Sequence, residues 1–190
     1  MKKTLFALSF LGLSSMLPAQ AAEYVIDTEK AHAFIDFRIQ HLGFSWMSGR
    51  FNDFAGTFNY DAEQPEASDI DVVIDVASVD TNFAERDKHL REKFLHTDKY
   101  PEARFQSKSV EVKEDGSMVM VGDFTLHGVT NELVIPIEKV GEGDDPWGGY
   151  RVGFVGETKF TIADYGIDVT KLGPSAEEVY LTLSIEGIRQ

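Results

Sequence analysis

The chain contains no cysteine. That excludes disulfides, thiolate metal ligands, a thiol nucleophile and a lipid-modified cysteine. Bases are scarce as well: 18 Lys and Arg stand against 32 Asp and Glu, a formal charge of −14. So acidic a surface disfavours nucleic acid and anionic membrane faces, because phosphate binding depends on clustered Lys and Arg. It favours solubility. Beyond the first 21 residues no apolar run approaches the ~20 residues that a helix needs to span a bilayer. Catalytic signatures are also missing. There is no G-x-S-x-G elbow, no H-E-x-x-H, no phosphate loop and no dinucleotide fingerprint. No fixed-period repeat, low-complexity tract or linker divides the sequence.

What is present begins with a leader. Lys2 and Lys3 form a basic start, Thr4 to Met16 is apolar, and Ala19-Gln20-Ala21 is a small-x-small cleavage site. The pattern predicts a signal peptide over residues 1–21, cleaved after Ala21, with a soluble bacterial protein delivered to the periplasm. Residues 22–190 then form one domain, and losing two lysines moves the formal charge to −16. A hydrophobic fraction of 43% with 14 Phe is ample for a core.

From residue 22 onward apolar and polar residues alternate with period two, the mark of half-buried strands. One face of the stretch 33–41 reads Ala33, Ile35, Phe37, Ile39. Phe54, Phe58 and Tyr60 share a face, with Gly56 expected to bend or bulge the strand. Ile70, Val72, Ile74 and Val76 follow, then Ala103 and Phe105. A Glu114-Asp115-Gly116 turn leads into Met118, Met120, Phe124 and Leu126. Leu133, Ile135 and Ile137 continue, and a loop is expected over 141–149. Val152, Phe154, Phe160 and Ile162 precede a last strand through Val179, Leu181, Leu183 and Ile185. Eight or nine antiparallel strands at meander spacing, with no strand–helix repeat, predict an all-β barrel of about eight strands. Pattern alone leaves a packed sandwich open.

One segment breaks the alternation. Asn82 and Glu85 have the spacing of a capping box, Asp87 and Arg91 that of an i,i+4 ion pair, and Pro101 halts any continuation. A short helix over about 82–95 is expected. Its apolar stripe, chiefly Phe83, Leu90 and Phe94, is thin enough for a helix resting on a barrel end.

The histidines offer little chemistry. His89 and His96 lie about 10 Å apart along a helix, too far to chelate one metal. His127 precedes Gly128 and reads as a turn residue. His41 is in register with Ile35, Phe37 and Ile39, so it is the candidate polar group inside an apolar lumen. The acids Glu142, Asp144 and Asp145 lack calcium-loop spacing and read as a solvated hairpin. No catalytic residue, metal or cofactor is expected. The expected ligand wall is Ile35, Phe37, Ile39, His41, Phe54, Phe58, Phe105, Met118, Met120, Phe124 and Phe154. Such a face is either core alone or a bed for a long hydrophobic ligand, to which Met and Phe adapt well.

Six ordered blocks resemble the YceI-like family of secreted bacterial proteins: HAFIDFRIQHLGFSW (32–46), GRFNDFAGTF (49–58), SVDTNFAERDKHLR (78–91), KYPEARFQS (99–107), GDFTLHGVT (122–130) and GDDPWGGYRVGF (143–154). The resemblance implies a lipocalin-like barrel that binds a long isoprenoid lipid, polyprenyl or quinone-like, without catalysis. The acidic charge argues against a nucleic-acid partner, the charged helix and short strands argue against stable membrane insertion, and a homodimer stays open. The run after Arg91 departs from the family pattern by about one residue, which puts the lid's conformation there in doubt. Two other classes share the sequence pattern: a small outer-membrane barrel, and a periplasmic enzyme acting on a lipid with His41 as base.

Overall fold

The structure, a computed structural model, describes residues 21–190. Residues 1–20 of the expected leader therefore lie outside the described residues. Eleven antiparallel strand segments form one closed sheet. They are β1 (Ala22–Ile26), β2 (Phe34–His41), β3 (Ser45–Phe51), β4 (Phe54–Tyr60), β5 (Asp69–Asp75) and β6 (Val79–Asp80). Then come β7 (Glu102–Val112), β8 (Met118–Leu126), β9 (Val129–Asp144), β10 (Tyr150–Thr161) and β11 (Glu178–Arg189). β1 and β2 both pair with β11, β3 pairs with β2, and β4 pairs with β1. β5 joins β4 and β6 joins β3. Consecutive segments thus combine, β1 with β2, β3 with β4 and β5 with β6, into three long interrupted staves. With the five uninterrupted strands β7–β11 they make an eight-stave, up-and-down barrel.

The interruptions have local causes. Asp75 accepts the Ala77 N–H at 2.8 Å, and the Ser78 hydroxyl donates to the Asp75 carbonyl at 2.6 Å. Short polar side chains that satisfy nearby backbone groups compete with the sheet ladder. The breaks at Asn52-Asp53 and at 76–78 lie side by side, with Asn52 N–H bonded to the Ser78 carbonyl and Asp75 N–H to that of Asp53. The staves therefore bend together without orphaning buried backbone groups. Gly56, by contrast, keeps regular register with Val72. A Cβ there would meet the Asp71 carbonyl at 2.4 Å, so tight packing rather than a bulge requires glycine.

The up-and-down path sorts the connections between two ends. At the terminal end are the start and the finish of the described residues and the connections 61–68, 113–117 and 145–149. At the lid end are 42–44, 81–101, 127–128 and 162–177. The last of these was not foreseen as a structured element. It is three 3₁₀ turns that bury Tyr165, Ile167 and Val169. The expected loop over 141–149 is shorter than predicted, because β9 continues to Asp144.

The lid helix α1 spans Ala84–His89 and passes into a single π turn, Leu90–Phe94. Three expectations about it fail. Asn82 is not its N-cap: Asn82 is left-handed at φ 59° and Phe83 occupies the cap position with no side-chain bond. Asp87 and Arg91 do not pair. Asp87 is buried and accepts the Thr81 N–H at 2.9 Å and the Thr81 hydroxyl, while Arg91 donates to the Val79 carbonyl. Phe83 leaves the apolar stripe and is 55% exposed. The cause is common to all three: Asp87 turns back to hold the incoming chain, which rotates the first turn away from the expected phase. The π turn covers the run on either side of Arg91. Its wider i→i+5 bond, Leu95 N–H to the Leu90 carbonyl at 2.8 Å, carries Leu90 and Leu95 onto the same cavity.

Candidate functional site

Alternation places the apolar face of every stave inward and the charges outward. The outer wall carries cross-strand ion pairs, Arg104 with Asp71, Lys108 with Asp123 and Lys159 with Glu178. A membrane-spanning barrel has the reverse polarity, an apolar band outside and a polar interior.

Inside is a cavity of about 200 Å³. Aromatic clusters border it at both ends. Tyr24 stacks on Phe58 at 5.0 Å, and Tyr60 meets Phe154 edge-on at 5.1 Å toward the terminal end. Phe124, Phe160 and Tyr165 interlock at 5.2–5.5 Å toward the lid end. Three rings, Phe37, Phe105 and Phe58, lie against the wall because a glycine is opposite, Gly187 in the case of Phe58. A Cβ on Gly49 would come within 2.5 Å of the Phe37 ring, and one on Gly122 equally close to that of Phe105.

Nine of the eleven expected wall residues line the cavity: Ile35, Phe37, Ile39, Phe58, Phe105, Met118, Met120, Phe124 and Phe154. His41 and Phe54 do not. His41 keeps the inward phase of its strand but pairs with Ser45 in the last rung of the hairpin, beyond the barrel rim, and is exposed. Phe54 follows the stave break and packs on the core without reaching the cavity. The aliphatic half of the wall, including Leu133, Ile135, Ile137, Leu181 and Leu183, was visible in the sequence as strand pattern but was not assigned to the site. Leu90 and Leu95 add the lid's contribution.

Polar groups on the wall are few and local. Asn59, Ser68 and Asp69 come together at the terminal end. The Asn59 amide donates to both Asp69 carboxylate oxygens at 3.1 Å on the exposed side. Ser68 has the inward phase of Ile70 and Val72, and its Oγ is buried with no hydrogen-bond partner. Sequence reasoning missed it because it precedes the strand.

Among the described residues one set of metal-capable side chains converges, Asp27, His32 and Glu186. A cation already serves it. Arg151 donates to Asp27 at 2.6 Å, to Glu186 at 2.5 Å and to Asp145 at 2.8 Å. Burial raises the Asp27 carboxyl, but hydrogen bonds from Arg151 and His32 outweigh it and hold the group below its ordinary range. Asp145 is held low by the Gly149 N–H and by Arg151, and Arg151 is itself pushed higher by Asp27 and Asp145. Asp145 is thus the organiser of its turn, accepting also from Trp147 N–H at 2.9 Å, and not a solvated acid. This knot lies on the outer wall, tying the break in the first stave to the 145–149 turn.

A closed eight-stave antiparallel barrel around an apolar cavity, with one helix over an end, defines a lipocalin-like barrel. The sequence places it more narrowly. The chain belongs to the family of the YceI-like domain, whose pattern matches residues 24–187. A UPF0312 protein of Shewanella sp. (strain MR-4) is 53% identical over 193 residues, covering all of both chains. Among solved structures, the Campylobacter jejuni YCEI protein is 27% identical and superposes with a TM-score of 0.70 over 80% of this chain and 90% of its own. A polyisoprenoid binding domain from Saccharophagus degradans, 16% identical, superposes at 0.65 over 90% of this chain and 100% of its own, a likeness of fold.

Proposed function

We propose that this protein binds and carries a long, hydrocarbon-rich lipid of the isoprenoid class in the barrel cavity, without catalysing a reaction on it, in the periplasm after cleavage behind Ala21. The observation that carries this reading is the wall itself: apolar except for the few polar groups at the terminal end, around a cavity of about 200 Å³. By the cost per volume measured for engineered cavities, leaving such a space empty forfeits on the order of 5 kcal/mol. Water is a poor filler, since each molecule needs two to four polar partners. A hydrocarbon chain fills it well and gains about 0.8 kcal/mol for each CH₂ taken from water. The Saccharophagus degradans neighbour, by its name, binds polyisoprenoid, and the shared fold supports the same ligand class here.

A head group has one buried hydrogen-bonding atom to meet, Ser68 Oγ, in place of the expected His41. The decisive test is mass spectrometry of an organic extract of protein purified from its own cell envelope, followed by direct titration of stripped, folded protein with a polyprenyl alcohol and a quinone. A co-purified isoprenoid and saturable uptake are expected. Folded protein that takes up neither would overturn the reading. Intact mass of the exported protein tests cleavage after Ala21.

A further inference from the structure

The lid end carries a group of large apolar side chains in water. Phe44 is 86% exposed, Leu42 50%, Trp46 46% and Phe83 55%. Their placement is ordered. The β2–β3 hairpin tip, Leu42-Gly43-Phe44, is held by two left-handed residues, Leu42 and Gly43, and by the Phe44 N–H bonded to the His41 carbonyl at 2.9 Å. Trp46 lies two residues behind Phe44, or about 7 Å at ~3.4 Å per residue. There the Arg38 guanidinium rests over both Trp46 and Tyr180, at 4.9 and 5.3 Å from the ring centres. Phe83 stands on the neighbouring lid, where Arg86 covers its ring and also reaches Met47 of β3.

Charge separates the two barrel ends. The terminal-end connections hold Asp61, Glu63, Glu66, Glu114, Asp115 and Asp145 against the single base Lys113. The lid-end connections hold six bases against seven acids, one of them the buried Asp87, so that end is close to neutral. An anionic bilayer face repels the first end and leaves the near-neutral second end free to approach. A Phe and Leu tip with a Trp, Tyr and Arg layer one step behind is also the depth order of an interfacial anchor, in which apolar rings enter and amphipathic ones stay at head-group level.

We propose that the lid end docks on the surface of a lipid bilayer through Leu42, Phe44 and Phe83, with Trp46, Tyr180 and Arg38 at the head-group level. This deepens the reading of the cavity as a lipid site, on which it rests for its purpose. The element that offers Phe83 to the membrane is the one whose Leu90 and Leu95 close the cavity, so docking brings the lid to the source of its cargo.

The experiment is flotation of the full mature chain with vesicles of phosphatidylethanolamine and phosphatidylglycerol, beside uptake of a polyprenyl alcohol presented in detergent. The wild-type protein is expected to float. The double variant Phe44→Ser, Phe83→Ser is expected to lose vesicle binding by about tenfold or more while keeping its uptake from detergent, a factor of ten being ~1.4 kcal/mol. Trp147→Ser removes an aromatic 76% exposed at the opposite end and should change neither. Unaltered flotation of the double variant overturns the docking face. So does a wild-type protein that never floats, or a double variant that changes only the oligomeric state, which would make the patch a contact between copies. Flotation without uptake upholds the docking face and defeats the cavity reading; uptake without flotation does the reverse.

Discussion

At the scale of residues, the wall and the rim make opposite demands. Met120 is half-buried on the cavity wall, between Met118 and Gly122 on β8. Met120→Trp should occupy the space meant for the ligand and lower uptake by more than about tenfold. Overpacking should cost no more than ~1–3 kcal/mol, because the ring can enter a cavity that already exists. Isothermal titration beside a thermal melt separates the two effects. Gly122 is unsuited to the same purpose, since its Cβ would strike the Phe105 ring and the Gln106 carbonyl. His41→Ala should leave uptake within about twofold of wild type, roughly the size of a neutral surface change. Ser68→Ala should be neutral or slightly stabilising in the empty protein, because a buried hydroxyl without a partner is a cost. If it also lowers preference for an alcohol over the bare hydrocarbon, Ser68 is the head-group contact.

At the scale of elements, the lid hangs from one side chain. Asp87 satisfies the buried Thr81 N–H and hydroxyl, and Arg86 adds bonds to Thr81 Oγ1 and the Thr81 carbonyl, both at 2.7 Å. Asp87→Ala orphans the Thr81 donor, which costs about 1–3 kcal/mol for a buried group. That loss should fall on the lid, seen as faster hydrogen exchange over 81–101 with the barrel strands still protected. Leu90→Ala should speed ligand exchange more than it lowers the melting temperature; unfolding of the whole barrel would show that the lid is core. These details also mark where sequence reasoning stopped. Strict alternation makes β8 and β11 legible, because each buries one face along its whole length. The lid's existence was legible from its caps, charges and Pro101. Its phase was not, because Asp87 is used in a long-range bond that i,i+4 spacing cannot foretell. The 162–177 plug was invisible for a related reason: Tyr165, Ile167 and Val169 alternate like a strand, but Tyr165 closes one 3₁₀ turn and the other two lie in the irregular stretch before the next. His41 failed because phase alone does not say where along a strand the rim lies.

At the scale of the whole molecule, Arg151 gathers acids from three separate parts of the chain. Asp27 and Asp145 are held below the ordinary carboxyl range, so they favour the folded state fully only above their unfolded values near ~4. Stability should be level from neutral pH down to about pH 5 and fall below about pH 4 as these groups take up protons. Arg151→Leu should lower stability at neutral pH by about 3 kcal/mol, the low side of what breaking a buried ion pair costs. It should also blunt the acid dependence, because the carboxyls lose the partner that holds them low. Urea titrations at several pH values measure both effects.

The pairing of β1 with β11 has a further consequence. Tyr24 lies opposite Arg189, so the first strand finds its neighbour in the last one made. Contacts so distant along the chain are slow to form, since the loop entropy must be overcome before the pairing returns anything. Until β11 arrives, β2 and β10 each present an open edge, and the same apolar surface that later holds the ligand is exposed. A chain truncated before Glu178 should therefore aggregate through these edges and not settle as a seven-stave barrel. Refolding of the intact chain should be slow and sensitive to its own concentration. A hydrocarbon ligand added during refolding, not after it, should raise the yield.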